Sequence, residues 1–321
     1  MKPLRAPFPY FGGKSRVAKE VWNRFGDVPN YVEAFFGSGA ILLNRPHAPR
    51  IETVNDLDGM IANLWRALQA DPEEVARHAD WPVNELDLHT RHLWLTNAGR
   101  AQVERLREDP DWYDPKIAGW WVWGCCQWIG GGWCKHPEWQ SRPHLGDAGK
   151  GVHRHSQSRP HLRGAGMGGL YDYFDLLSQR LRGVRVCCGD WARVCGPMPT
   201  VKQGLTAVFL DPPYSQDERD SNLYAVETAV TVQVREWCQE NGSDKRLRIA
   251  LCGYAGEGHE TLEEYGWECV HWKAHGGYGL QGNGTAGRHN ATRERIWFSP
   301  HCLKADLFSG LKLTASAREM E

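Results

Sequence analysis

Val17, Val21 and Phe25 recur at every fourth position and predict a helix over Arg16–Phe25. The apolar run Tyr31–Phe36 predicts a buried strand that runs straight into Gly37-Ser38-Gly39, with a helix from about Ala40. Ile51–Asn55 reads as a second strand ending at Asp56, and Met60, Ile61, Leu64 and Leu68 mark an amphipathic helix behind it. Strand, glycine turn, helix, strand and acid in that order are the signature of a nucleotide-binding α/β unit.

From about Asp71 to Gly169 this alternation breaks. Helical pieces are expected near Thr90–Arg107 and Ile117–Trp128, followed by a Gly-, His- and Arg-rich stretch from Gly130 to Gly169. Within it Ser141–Gly146 recurs imperfectly as Ser158–Arg163. Two copies are too few for a solenoid and read as paired turns or hairpin arms. Alternation resumes with a helical stripe at Leu170, Phe174, Leu177 and Leu181. Strands follow at Val184–Cys188 (ending at Asp190), Thr206–Leu210, Ile249–Cys252, Glu268–Trp272 and Arg295–Ser299, with a helix over Leu223–Trp237. The expectation is a doubly wound α/β domain built from residues 1–70 and 170–301, interrupted by an insertion at 71–169 and followed by a peripheral tail at 302–321.

Composition changes this picture little. The length, 321 residues, suits two domains or one with a large insertion. With 41% hydrophobic and 24% charged residues the chain is not globally disordered. Lys and Arg total 38 against 39 Asp and Glu, which excludes a polycation, so any nucleic-acid contact must come from a local basic surface. No apolar run reaches the roughly 18 residues of a membrane helix. Met1–Tyr10 lacks the apolar core of a signal peptide. Ten cysteines in this length are not a disulfide scaffold, and the pairs Cys125-Cys126 and Cys187-Cys188 sit among apolar neighbours, so a reduced, cytoplasmic protein is expected.

The candidate chemistry lies at strand ends. Asp211-Pro212-Pro213-Tyr214 directly follows an apolar strand, at the edge where α/β sheets bind ligands. A carboxylate and a rigidly aimed carbonyl suit a planar exocyclic amine: accepting its two N–H hydrogens draws the nitrogen toward tetrahedral geometry. The prolines fix φ, aiming the Pro212 carbonyl in advance, and Tyr214 offers a stacking face. Gly37 and Gly39 permit a tight turn and close backbone approach. Asp56 ends the next strand, where such units grip a ribose diol. Lys14, after a second glycine turn, is a compact cation suited to a carboxylate.

Tyr10-x-Gly12-Gly13-Lys14, then Glu33-Ala34-Phe35-x-Gly37-Ser38-Gly39, an acid ending the next strand, a long insertion, and Asp211–Tyr214 together resemble the Dam-like DNA adenine-N6 methyltransferases, the α-ordered group, and especially its phage-type members. The resemblance covers about Pro7–Trp65 and Leu170–Ser299. It implies a Rossmann-like S-adenosylmethionine-dependent methyltransferase sheet with an inserted target-recognition domain. It also implies that Tyr10, Gly12, Gly13 and Lys14 lie beside the amino-acid end of S-adenosyl-L-methionine. Glu33, Phe35, Gly37 and Gly39 would form the main cofactor loop, Asp56 would take the ribose hydroxyls, and Asp190 with Trp191 would meet the adenine. Asp211, Pro212, Pro213 and Tyr214 would form the catalytic site, acting on a base flipped out of double-stranded DNA. No catalytic metal is implied.

Lys135, Arg142, Lys150, Arg154, Arg159 and Arg163 face only Glu138 and Asp147 across the insertion and are the expected DNA-binding residues. Trp120, Trp121, Trp123, Trp128 and Trp133 either pack beneath this surface or wedge into a duplex. A zinc site from Cys125, Cys126, Cys134 and His136 is a rival reading, but no spacing there matches a known finger. Two other functions stay open: cytosine-N4 methylation, which uses the same amine chemistry, and a non-catalytic DNA-binding protein with a retained fold. A restriction nuclease partner, if there is one, is not encoded in these residues.

Overall fold

The structure, a computed structural model, describes residues 3–10, 13–109, 111–128, 133–134, 169–213, 221–272 and 293–304, the side chains of 221–228 excepted. After α1 (Ala18–Phe25) come β1 (Asn30–Glu33), α2 (Ala40–Leu43), β2 (Ile51–Asp56) and α3 (Gly59–Ala70). α4 (Pro72–Ala79), α5 (Glu85–Trp94), α6 (Arg100–Val103) and α7 (Pro115–Gln127) follow. The second half holds α8 (Leu170–Leu181), β3 (Val184–Cys188), α9 (Ala192–Cys195), β4 (Thr206–Leu210), α10 (Ser221–Asn241), β5 (Leu247–Tyr254), β6 (Glu268–His271) and β7 (Glu294–Phe298).

Among the described residues the strands form one seven-stranded sheet in the order β3-β2-β1-β4-β5-β7-β6. Neighbours from β3 to β5 run parallel, and β7 is antiparallel to both β5 and β6. This is the mixed α/β, Rossmann-like sheet expected. Alternation along β1 divides the core into two layers. Tyr31 belongs to one apolar cluster, with Phe209, Phe298 and helices α1, α3 and α8. Val32 and Ala34 belong to the other, with Val208, Ile249, Trp297 and Val234 of α10.

The segment expected as an insertion begins inside this core. Helices α4 and α7 pack on each other and on α3 and α8, and Val75, Ala76, Ile117, Val122 and Trp123 share the first cluster. Gly119 allows that approach, since a Cβ there would stand 2.4 Å from the Cβ of His78 and 2.7 Å from the Val75 carbonyl oxygen. Trp121, Trp123, Trp128 and Trp133 are buried in the same cluster, so the tryptophan run packs inward. The helix expected over Thr90–Arg107 is an unbroken run of helical residues that changes pitch. It widens to a π turn at Leu95–Gly99 and tightens to 3₁₀ at Glu104–Arg107. Thr96 Oγ1 and Asn97 Nδ2 donate to the His92 and Leu93 carbonyls, competing with the backbone ladder where it widens.

At the other end Cys302 is buried and the Leu303 N–H donates to the Arg24 carbonyl at 2.8 Å, so the described start of the tail is docked on the end of α1. Cys126 is buried, whereas Cys125, Cys187 and Cys188 are half-buried. No helix among the described residues is long and apolar enough to cross a membrane.

Candidate functional site

Strand register assembles one edge. Glu33 pairs with Val54 and with Phe209, and Asp56 pairs with Cys188. Two residues beyond Glu33 and Phe209 the chain reaches Phe35 and Asp211, so Phe35, Asp56, Cys188 and Asp211 stand at the same level on neighbouring parallel strands. The strand order reverses between β1 and β4. That reversal opens a crevice at the carboxyl edge of the sheet.

The loop after β1 is held at several points. The Gly37 N–H donates to Asp56 Oδ2 at 2.9 Å, and the Gly37 carbonyl accepts from Trp65 Nε1 at 2.9 Å. Asp56 Oδ1 accepts from the Asp58 N–H, also at 2.9 Å. Burial raises the Asp56 carboxyl to about 6 even though the Gly37 and Asp58 N–H groups favour its charge. Asn55 Nδ2 donates to the carbonyls of Ala34 and Gly189, tying three strand ends together. Gly37 and Gly39 have φ of 48° and 68°, and the Tyr10 ring lies directly over Gly37. Tyr10 is itself 45% exposed. Gly13 closes the preceding turn by donating to the Tyr10 carbonyl.

Glu33 lies beneath this loop. Its Oε2 accepts from Tyr31 Oη at 2.8 Å and from the Leu42 N–H at 3.3 Å, at the start of α2. Burial pushes its carboxyl up to about 8, against the pull of those two donors. Trp191 is buried, stacks on Phe35 with ring centroids 6.2 Å apart, and meets Trp237 edge-on. Asp190 is exposed, and its Oδ1 accepts from the Ala192 N–H.

Lys14 reaches the far side of the crevice. Its ammonium stands 3.0 Å from Asp211 Oδ2 and 3.7 Å from Glu294 Oε2. It lies 5.7 Å from the centre of the Trp272 ring. Burial alone would discharge Lys14, but Asp211 and Glu294 hold its ammonium charged well above the usual range. Pro212 is buried behind Asp211, and the Pro213 carbonyl accepts from Thr231 Oγ1 at 3.0 Å, anchoring the tripeptide to α10.

Of the residues expected from sequence, the structure gathers Tyr10, Gly13, Lys14, Glu33, Phe35, Gly37, Gly39, Asp56, Asp190, Trp191, Asp211, Pro212 and Pro213 around this edge. Gly12 and Tyr214 lie outside the described residues, as do Lys135, Arg142, Lys150, Arg154, Arg159 and Arg163. Lys14, expected to face a ligand carboxylate, is paired with protein carboxylates. Glu294, Asn55 and Trp65 went unnoticed. Glu294 opens an apolar strand and reads there as a surface acid, while Asn55 and Trp65 sit inside apolar patterns.

A cleft of about 590 Å³ borders this edge at the end of β3, lined by Leu57, Arg66, Arg107, Gly189, Asp190 and Arg193 among others. Among the described residues no three His, Cys, Asp or Glu side chains gather as a metal site; His136 lies outside them.

Residues 10–105 match the family model described as D12 class N6 adenine-specific DNA methyltransferase. The match spans the Tyr10 turn, the glycine loop and Asp56, and it bears out the Dam-like resemblance read from the motifs. No curated protein matches the chain.

Proposed function

We propose that this chain methylates N6 of adenine in double-stranded DNA, with S-adenosylmethionine as donor and the target base everted into the crevice. The observation that carries the reading is Asp211, held by Lys14 at 3.0 Å, on the strand next to the glycine loop and 21% exposed at its side chain. S-adenosylmethionine, when bound, supplies a methyl group made electrophilic by its sulfonium.

The residues of the edge fit that donor. The Asp56 carboxylate accepts from the Gly37, Asp58 and Leu57 N–H groups, and its two oxygens have acceptor capacity left for a ribose hydroxyl. Gly37 brings bare backbone to the crevice, and Leu57, 67% exposed, gives an apolar surface beside Asp190 for a purine. Asp211 and the Pro212 carbonyl accept the two hydrogens of the target amine. The Thr231 bond to the Pro213 carbonyl and the fixed proline φ angles keep those acceptors aimed without reorganisation. An amine stacked inside a duplex cannot reach them, which is why the base must leave the stack. Tyr214 would stack on that base, and the six cations between Lys135 and Arg163 would hold the phosphates.

The test is to incubate purified protein with methyl-labelled S-adenosylmethionine and mixed-sequence DNA, then digest and identify the labelled nucleoside. N6-methyladenine is expected from the native chain, and a loss of about 10²–10³-fold from Asp211→Ala. Label in cytosine would replace the adenine reading by N4 chemistry. Equal activity in Asp211→Ala would refute the catalytic assignment. DNA binding without S-adenosylmethionine binding would point to a non-catalytic protein.

A further inference from the structure

One buried acid beside the crevice has no part in the reading above. Glu294 begins β7, opposite Tyr254 of β5, and its side chain is 5% exposed. Its Oε2 has no hydrogen-bond partner among the described residues and stands 3.7 Å from the Lys14 ammonium. That ammonium is shared: Asp211 holds it at 3.0 Å. The groups facing Glu294 are Lys14 from the N-terminal segment, Asp211 after β4, and Tyr254, Cys252 and Glu257 on and after β5, with Arg293 just before it and Arg295 just after it in the chain.

Resting on the methyltransferase reading, we propose that Glu294 is a positioning residue that competes with Asp211 for Lys14 and so sets how strongly Asp211 accepts the target amine. One cation between two carboxylates cannot serve both fully. When Glu294 is neutral, Lys14 is committed to Asp211 and draws electron density from the oxygen that must accept the amine N–H. When Glu294 is ionised it pulls on Lys14, and Asp211 becomes the better acceptor. Glu294 is the group poised to switch. Burial raises its carboxyl to about 7, with Lys14 opposing that rise and Asp211 and Glu257 adding to it.

The experiment is the pH dependence of kcat and KM for DNA methylation by the native chain, Glu294→Gln and Glu294→Asp, with S-adenosylmethionine affinity measured by calorimetry. In the native chain kcat rises through a limb near pH 7. Glu294→Gln, neutral at every pH, loses this limb and stays near the native low-pH rate, about tenfold below the native plateau. Its KM for DNA and its S-adenosylmethionine affinity stay within about twofold of native. Glu294→Asp restores a limb. An unchanged limb in Glu294→Gln would overturn the proposal while leaving the methyltransferase reading intact. So would a rate loss matched by equal losses of cofactor affinity and thermal stability, because Glu294 would then be merely structural. A native chain that transfers no methyl to DNA at any pH would overturn both.

Discussion

Replacing Gly37 by alanine probes the glycine loop with the least added chemistry. Two costs follow from the structure. At φ 48° the backbone is in the left-handed region, where a Cβ costs about 1–2 kcal/mol. That Cβ would also stand 2.7 Å from Cε1 and 3.0 Å from Cδ1 of the Tyr10 ring, so the ring must move outward. Tyr10 is held there by an edge contact with Phe8 at 5.9 Å, and losing such a pair costs about 0.5–1.5 kcal/mol. The loop cannot retreat instead, because Asp56 and Trp65 fix the Gly37 peptide at both its N–H and its carbonyl. The expected destabilisation is therefore about 2 kcal/mol in the native background and about 1 kcal/mol in a Tyr10→Ala background, where only the backbone cost remains. Urea unfolding of the four chains of that double-mutant cycle measures both values, and calorimetry should show S-adenosylmethionine binding weakened at least about tenfold in Gly37→Ala. Equal costs in the two backgrounds would refute the ring clash. No cost in either would refute the left-handed turn itself.

Two further predictions concern buried acids. Glu52 is 2% exposed and neutralises two buried arginines, accepting from Arg45 at 3.0 Å and from Arg180 at 2.7 and 2.8 Å. Glu52→Gln strands both guanidinium charges in the core and should cost about 3–5 kcal/mol of unfolding free energy; a loss under about 1 kcal/mol would mean that the network relaxes into water. Glu33 has a folded-state carboxyl raised to about 8 from its ordinary 4.5, so between those values the folded chain holds a proton that the unfolded chain has released. Native stability should therefore fall as pH rises through that window, by up to about 1.4 kcal/mol per pH unit. Glu33→Gln lacks this decline, so its stability relative to native should climb from about pH 5 to pH 8 and then level; a flat difference in urea unfolding would refute the buried-proton account.

Local pattern made most of the elements legible. The helix ending at Phe25 and the strands ending at Asp56 and Leu210 fall where the apolar spacing puts them. Helix α4 was missed although its signals are local. Asp71 caps it by accepting from the Glu74 N–H, Pro72 opens it, Glu73 and Glu74 occupy the first turn, and Arg77 and His78 close it. At eight residues it is too short for a convincing apolar stripe. Strand β1 is regular only to Glu33, but the Ala34 N–H still donates to the Phe209 carbonyl and the Phe36 N–H to the Asn55 carbonyl, so bonding to the neighbouring strands runs up to the left-handed Gly37.

What the sequence by itself determined is the alternation of strands and helices and the placing of Gly37, Asp56 and Asp211 at strand ends, since apolar period and turn chemistry depend only on near neighbours. Tertiary structure decided the rest. Parallel register levels Phe35, Asp56 and Asp211 on one edge. Crossovers bring Asp211 and Glu294 against the same ammonium, that of Lys14 near the other end of the described chain. Burial shifts the acids there and turns the tryptophans inward. Charge pairing and desolvation act through space between residues far apart in the chain, and no local pattern encodes which of them will meet.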